Sequence, residues 1–374
     1  MSQGIRVGII GAGWPGLKHA EGYKGAGGFT VAAVADLIPS RRKALLQQFP
    51  GAAELADARA VVDDKSIDVV SVCLPNHLHA PVVAAALKAG KHVVCETPPA
   101  LSAAEAKKLS AAAARAGKVL LYAAQRRFGG AEQAAGQALA KGYAGAIYHA
   151  RAAWMRTRGI PTGTGWFTDR AKSGGGATID LGVQMLDLAW SLLGQPRPLT
   201  VFAVTHQKFK QAAPQGPAYN VEDAGFALIR FEAGKSLELS ASWAINQPPR
   251  QQGTACRVYG ETGAVEVYTP QGPLLYRNFG PKGEAKETPL KLPKVVHYPA
   301  MMRHLKRCIQ AGEKPIVGGA EGAVLMGIVD AIYRSAAGGK SIEVRQERAA
   351  SNASSLSAAQ FAGAEGVEAG GQGE

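Results

Sequence analysis

In VGIIGAGWPG, the glycines Gly11, Gly13 and Gly16 follow directly on an apolar run and open a segment of helical character. Asp36 ends the next apolar run, 20 residues beyond Gly16. Glycines at this spacing suit a pyrophosphate. The first permits a tight turn, the second lets backbone approach the phosphates with no Cβ in the way, and the third lets the helix pack closely on its strand while its amides face the charge. An acid placed like Asp36 accepts hydrogen bonds from the adenosine ribose hydroxyls. The constellation reads as a dinucleotide site, with Trp14 and Pro15 as further loop contacts. The Asp36 carboxylate repels a 2′-phosphate and so favours NAD; NADP is the alternative, through Ser40, Arg41 and Arg42, were the acid to turn away. A second pair, Gly163 and Gly165 in IPTGTGWF, follows no strand and opens no helix, and reads as a loop.

The elements around this site are legible as alternating patterns. IRVGII, FTVAAVAD, DVVSVCLP, HVVCET and KVLLYAAQ are β-rich runs separated by amphipathic, Ala-rich stretches. That alternation predicts a parallel, doubly wound Rossmann sheet, here residues 1–125. Ser102, three residues before Glu105, forms a capping-box pattern for a helix running to Gly117. From residue 126 the texture changes to a helix, a strand (AIYHARAAW), a Gly/Thr/Pro-rich loop and a helix from about Ala177 to Leu193. The runs LTVFAVTH, AGFALIRF, SLELSASW, TACRVYG and AVEVY then predict a large, mainly antiparallel open sheet, with EAGK and GETG as tight turns. Helices over about Pro299–Gln310 and Glu321–Ser335 and the strand KSIEVR complete an α/β domain over 126–347. Residues 348–374 fall to Ala, Gly, Ser, Glu and Gln, a composition that predicts disorder.

Composition narrows the function classes. A chain of 374 residues is long enough for two domains and a cleft between them. With no stretch of about 18 apolar residues and no secretory pattern at the N-terminus, the expectation is a cytoplasmic protein with no membrane partner. Cys73, Cys95, Cys256 and Cys308 have neither metal-ligand nor disulfide-framework spacing, so buried thiols and no metal are expected. The net charge of +13 is spread through both halves without basic runs interleaved with aromatics. It argues against nucleic acid and for general solubility or an acidic or phosphate-bearing ligand.

The segments VGIIGAGWPG, VCLPNHLHAPVVAAALKAGKHVVCETPPA, RTRGIPTGTGWF, GGGATIDLGVQMLDLAWSLLG and IVDAIYRSAAGGKSIEV run in this order between about Ile5 and Val344. In them the chain resembles the Gfo/Idh/MocA oxidoreductases. The resemblance implies a Rossmann domain followed by an α/β domain whose open sheet supports the substrate site and oligomer contacts. It also implies oxidation or reduction of a secondary alcohol on a sugar or cyclitol. By the same resemblance Leu74, Pro75, Asn76 and His79 line the cofactor, and Glu96 takes the acidic place at the end of the fifth strand; His79 also reads as an ordinary helix-start residue. Two departures bear on catalysis. The family's Glu-Lys-Pro is here Glu96-Thr97-Pro98, and the histidine of its second motif, on the helix carrying Asp180 and Gly182, is here Gln184.

Removing an alcohol proton needs a base, and neither a threonine hydroxyl nor a glutamine amide is basic near neutrality. A missing general base costs about 10²–10⁴ in rate. Asp180, Gln184 and Asp187 recur at helical spacing and are expected to share one face toward the cleft. Three replacements are open: Asp180 itself, Lys172 beside the Gly174–Gly176 run, and His149 on the preceding strand. Lys172 also reads as a surface cation, and His149 as a polar strand-face residue. Arg156, Arg158 and Trp166, in the loop that the family folds over its substrate, are candidates to bind hydroxyls or a carboxylate and to stack on a sugar face; the arginines also read as solvated loop residues. Three activities fit these residues: an NAD-dependent sugar or polyol oxidoreductase with Thr97 and Gln184 reshaping the site; an NAD-retaining lyase or hydrolase acting through a keto-sugar; and a catalytically silent NAD-dependent sensor. An open apolar sheet face predicts a homo-oligomer, a dimer or tetramer.

Overall fold

The β-rich runs of the first third pair as a parallel sheet in the computed structural model, which describes residues 4–161, 163, 165–212, 218–278 and 285–345. Its strands are β1 (Ile5–Ile10), β2 (Phe29–Ala35), β3 (Ala53–Leu55), β4 (Val69–Val72), β5 (His92–Cys95) and β6 (Leu120–Tyr122), in the order β3-β2-β1-β4-β5-β6. The helices between them are α1 (Trp14–Ala26), α2 (Pro39–Leu46), α3 (Ala58–Asp63), α4 (His79–Lys88) and α5 (Ala103–Ala116). Because neighbouring strand residues point to opposite faces, Val69, Val94 and Leu121 pack against α1 while Val70, Val93 and Leu120 pack against α4 and α5. Ser102 caps α5 by accepting from the Glu105 amide at 3.2 Å, and Gly117 ends it in the left-handed region, as the sequence pattern predicts. The short edge strand β3 lies in GAAELAD, a run too brief and polar to register as a strand in the sequence.

Beyond β6 come α6 (Gly130–Ala140), β7 (Ile147–Met155), α7 (Arg170–Ser173), a π-helical turn (Thr178–Gly182) and α8 (Val183–Leu192). They are followed by β8 (Pro198–His206), β9 (Ala224–Phe231), β10 (Ser236–Ser242), β11 (Gly253–Gly260), β12 (Gly263–Glu266), β13 (Leu274–Asn278) and β14 (Ala285–Pro289). The chain closes through α9 (His297–Ala311), α10 (Gly319–Gly338) and β15 (Ile342–Glu343). The second sheet has nine strands ordered β14-β13-β12-β11-β7-β10-β9-β8-β15. It is antiparallel except where β7 meets β10 in parallel, a pairing that local patterns do not encode because α7, α8, β8 and β9 intervene. The expected turns form as read: Glu232–Gly234 joins β9 to β10, and Glu261 and Thr262 link β11 to β12.

Two differences from the sequence reading matter for the site. The helix expected over Ala177–Leu193 begins with one π turn, which changes the angular offset between Asp180 and the residues of α8. The last helices also reach back to the first sheet. Met301, Met302 and Leu305 of α9 pack with Ala20 and Tyr23 of α1, and α10 lies between α5 and β8. The second sheet covers one face with α8 and α10, burying Ala150, Ala152, Leu237, Leu239, Cys256 and Val258. On its other face Phe202, Val204 and Leu228 stay 48%, 41% and 47% exposed. The four cysteines are buried and unpaired. No helix among the described residues is long and apolar enough to cross a membrane. The segment expected to be disordered, 348–374, lies outside the described residues.

Candidate functional site

The turn from β1 into α1 has the form that a pyrophosphate requires. Gly11 sits at φ +97°, and a Cβ there would strike the Cys73 carbonyl, so no other residue fits. A Cβ on Gly16 would collide with the Gly11 carbonyl, which is the close helix-to-strand approach that the motif demands. At Gly13 a Cβ would meet only Pro15 Cδ at 3.8 Å, so its backbone faces open space. The helix that follows has no acidic side chain in its first turn and no side-chain cap, which leaves its amides for an anion. Trp14 is exposed beside this turn.

Asp36 is held in place from two sides. Its Oδ2 accepts from the Ala12 amide at 2.8 Å, inside the glycine turn, and its Oδ1 from the Ile38 amide at 2.8 Å. Arg42 donates to the Asp36 carbonyl and to Glu54, while Ser40 and Arg41 are exposed. The turn, the acid and the bare helix start together fit a dinucleotide.

The loops after β4 and β5 are tied together at the same sheet edge. His79 is fully buried, with Nδ1 2.9 Å from the Pro98 carbonyl and Nε2 2.8 Å from the Leu74 carbonyl. Burial pulls its imidazole below the ordinary range, against those carbonyls and the charge of Glu96. Pro75 precedes a short turn in which Asn76 donates to the Ser173 carbonyl at 2.8 Å, so the Asn76 amide joins this loop to α7. Glu96 meets His19 Nε2 at 3.0 Å, His19 Nδ1 meets Ser71 Oγ at 3.1 Å, and Ser71 meets the Tyr23 hydroxyl at 2.7 Å. This chain runs from the cleft into the core beneath α1. Thr97, half-buried, donates its amide to Glu96 Oε2 at 3.3 Å.

Asp180, in the π turn, is the half-buried acid of the opposite wall. Its Oδ2 accepts from Trp243 Nε1 at 2.7 Å, and its Oδ1 has no hydrogen-bond partner among the described residues. Burial pushes its carboxyl above the ordinary aspartate range, although the Trp243 bond and the nearby Arg156 charge pull the other way. Gln184 accepts from Gln125 Nε2 at 3.3 Å, so the start of α8 is pinned to the segment that follows β6.

Several sequence expectations are redirected. Asp187 does not face the cleft: it is buried in a two-pronged pair with Arg127, at 2.6 and 2.8 Å, one of the contacts joining α8 to the end of the first sheet. His149 lies on the sheet face away from α8, bonded to Ser236 at 2.9 Å and stacked on Tyr259, because it alternates with the inward-facing Ala150 and Ala152. Lys172 is exposed and pairs with Asp169 at 3.4 Å. Arg158 is exposed, anchored to Asn246 at 2.8 Å and laid over Phe209. Trp166 stacks on Phe167, with ring centres 3.8 Å apart. Arg156 is half-buried, its guanidinium 5.3 Å from the centre of the Trp154 ring.

Sequence reasoning missed Arg126, Trp154, Trp243 and Tyr268. Arg126 lies just past the C-terminal end of a parallel strand, where ligand groups gather in such sheets, and that signal was available in QRRF. The others are brought beside Arg126 and Asp180 only through the second sheet's topology, which has no local signature.

Comparison with known proteins gives matches over most of the chain. Residues 5–124 match the model of an oxidoreductase family with an NAD-binding Rossmann fold, and residues 133–266 match a GFO/IDH/MocA C-terminal domain. D-glucoside 3-dehydrogenase of Escherichia coli is 38% identical over 253 residues, covering 66% of this chain and 72% of the relative. Levoglucosan dehydrogenase of Pseudarthrobacter phenanthrenivorans is 26% identical, covering 70% of this chain and 73% of the relative. Among solved structures, a levoglucosan dehydrogenase in complex with NADH and L-sorbose superposes with a TM-score of 0.83 at 23% identity, covering 92% of this chain and 100% of that one, which speaks to the fold.

Proposed function

The chain belongs to the Gfo/Idh/MocA family of oxidoreductases, and from that premise we propose that it transfers electrons between NAD and a secondary alcohol of a sugar, cyclitol or sugar derivative, with Asp180 in the role of proton acceptor. The observation that carries this reading is Asp180 itself: a half-buried carboxylate with one oxygen held by Trp243, the other without a hydrogen-bond partner among the described residues, and its carboxyl raised by burial toward the pH at which a general base works best. Two hydrogen bonds, Asn76 to Ser173 and Gln125 to Gln184, hold this wall against the loops at the edge of the first sheet.

When bound, NAD is the two-electron partner of the alcohol carbon. Gly11, Gly13, Gly16 and Asp36 would hold it, and Asp36, secured by two backbone amides, supports NAD over NADP because the acid is not free to turn from a 2′-phosphate. The loop residues Leu74, Pro75, Asn76 and His79, with Glu96, shape the end nearer the substrate. Asp180 Oδ1 accepts the hydroxyl proton on oxidation and returns it on reduction. Thr97 and Gln184, both neutral, position hydroxyls without moving protons. In this reading the cofactor is held by residues up to about Gln125 and the substrate from residue 126 onward. The exposed Phe202, Val204 and Leu228 support self-association through the open sheet face.

The test is to release and identify the nucleotide carried by the purified protein, then follow nicotinamide absorbance as sugars, inositols and sugar acids are added. A substrate-dependent change supports the oxidoreductase. Product without net reduction of added NAD identifies a cofactor-retaining lyase or hydrolase, and binding with neither identifies a sensor.

A further inference from the structure

Most arginines near the cleft are already engaged. Arg127 is paired with Asp187, Arg42 with Glu54, and Arg158 is anchored to Asn246 and the Ile245 carbonyl. Arg126 and Arg156 are the exceptions. Both are half-buried, and both stand over the same indole, Trp154, with guanidinium carbons 4.5 Å and 5.3 Å from its ring centre. Among the described residues neither has a carboxylate within 4.0 Å.

Arg126 donates through Nη1 to the Tyr268 hydroxyl at 2.9 Å, and its Nε is buried without a partner. Its Nη2 makes no hydrogen bond among the described residues. The nearest counter-charge along this path is Glu132, one hydroxyl further on. Glu132 accepts from Tyr268 at 2.6 Å and lies 3.9 Å from His297. Burial opposes the charge on Glu132, but hydrogen bonds from His297 and Tyr268 hold its carboxyl below the ordinary range. Among the described residues the Arg156 guanidinium makes one hydrogen bond, a long 3.5 Å contact to the Gly159 carbonyl, and its charge acts on Asp180.

Two half-buried cations beside one indole, neither paired with a carboxylate among the described residues, call for an anion, and a guanidinium fork is shaped for a carboxylate or phosphate. The place is right for a substrate. Arg126 follows Gln125, which bonds Gln184, and Arg156 bears on Asp180.

We propose that the substrate of this site is an acidic sugar derivative, and that Arg126 and Arg156 receive its carboxylate or phosphate at the rim of Trp154 while Asp180 addresses the alcohol. This rests on the sugar oxidoreductase reading above and narrows it. The test is calorimetric titration of the NAD-loaded, full-length protein with gluco, galacto and manno hexoses, each beside its uronate and its 6-phosphate. At least one acid is expected to bind tenfold or more tighter than its neutral parent, the gain of a charge-assisted bond. Arg126→Gln and Arg156→Gln each remove that preference and leave NAD affinity as it was, and Arg126→Lys keeps part of it. Preference for the uronate or for the 6-phosphate identifies the anion. Neutral sugars binding as tightly as their acids would overturn this inference and leave the sugar reading standing. Binding of no sugar would overturn both.

Discussion

Asp180 is where burial and chemistry meet at the scale of a single residue. Asp180→Asn is expected to lower kcat/KM by about 10²–10⁴ with NAD binding unchanged; a variant that keeps its rate would remove Asp180 from the role of base. Turnover in the direction of oxidation is expected to rise with pH along a limb displaced above the ordinary aspartate range, because burial raises this carboxyl. The sign for stability is opposite. A group that keeps its proton longer in the native state than in the unfolded chain lowers stability as pH climbs from the unfolded to the folded pKa. Asp180→Asn is therefore expected to leave the melting temperature equal or higher at neutral pH, and a marked fall would show that Trp243 needs a charged acceptor. At the other end of the cleft, Asp36→Ala is expected to weaken NAD by roughly 10–100-fold, the loss of charge-assisted bonds to the ribose, and to narrow the gap to NADP, as read by nucleotide titration.

The elements differ in how far they were legible. The β1–α1 turn was readable because three glycines and an acid at fixed offsets describe a local backbone shape, and Gly11 and Gly16 occupy the positions which that shape requires. Gly16→Ala places a methyl against the Gly11 carbonyl, and is expected to abolish NAD binding and lower the melting temperature together. The helix after Gly176 was readable as a helix but not as one that starts with a π turn, since its burial against Ala241 and Trp243 is a tertiary matter. Asp187 shows the same limit: helical spacing aimed it at the cleft, and the partner that claims it, Arg127, lies 60 residues away. Removing one member of such a buried pair strands the other, so Asp187→Ala is expected to cost about 3–5 kcal/mol in chemical denaturation. A loss under about 1 kcal/mol would mean that Arg127 is solvated in the native protein.

For the molecule as a whole, the two sheets are joined by helices distant in sequence: α9 returns to α1, and α10 bridges α5 to β8. Among the described residues none covers the apolar side chains Phe202, Val204 and Leu228 of the open sheet face. Leu228→Arg together with Phe202→Glu is expected to convert an oligomer to a monomer in light scattering, with secondary structure unchanged. A mass unaffected by both charges would place any self-contact elsewhere.

The sequence by itself determined the alternation that builds the parallel sheet, the glycine turn and acid that suit a dinucleotide, and the neutral side chains Thr97 and Gln184 close to Glu96 and Asp180, because each is a property of residue type at short or fixed spacing. It left three bases open and aimed Asp187 at the cleft. Only the tertiary structure decided where each of these side chains lies. Sheet alternation turned His149 to the far face, a surface pairing occupied Lys172, and the fold set Trp243 against Asp180 and placed Arg126 and Arg156 over Trp154 with no salt-bridge partner among the described residues. Which charges find partners depends on contacts between segments tens of residues apart, and no local pattern records them.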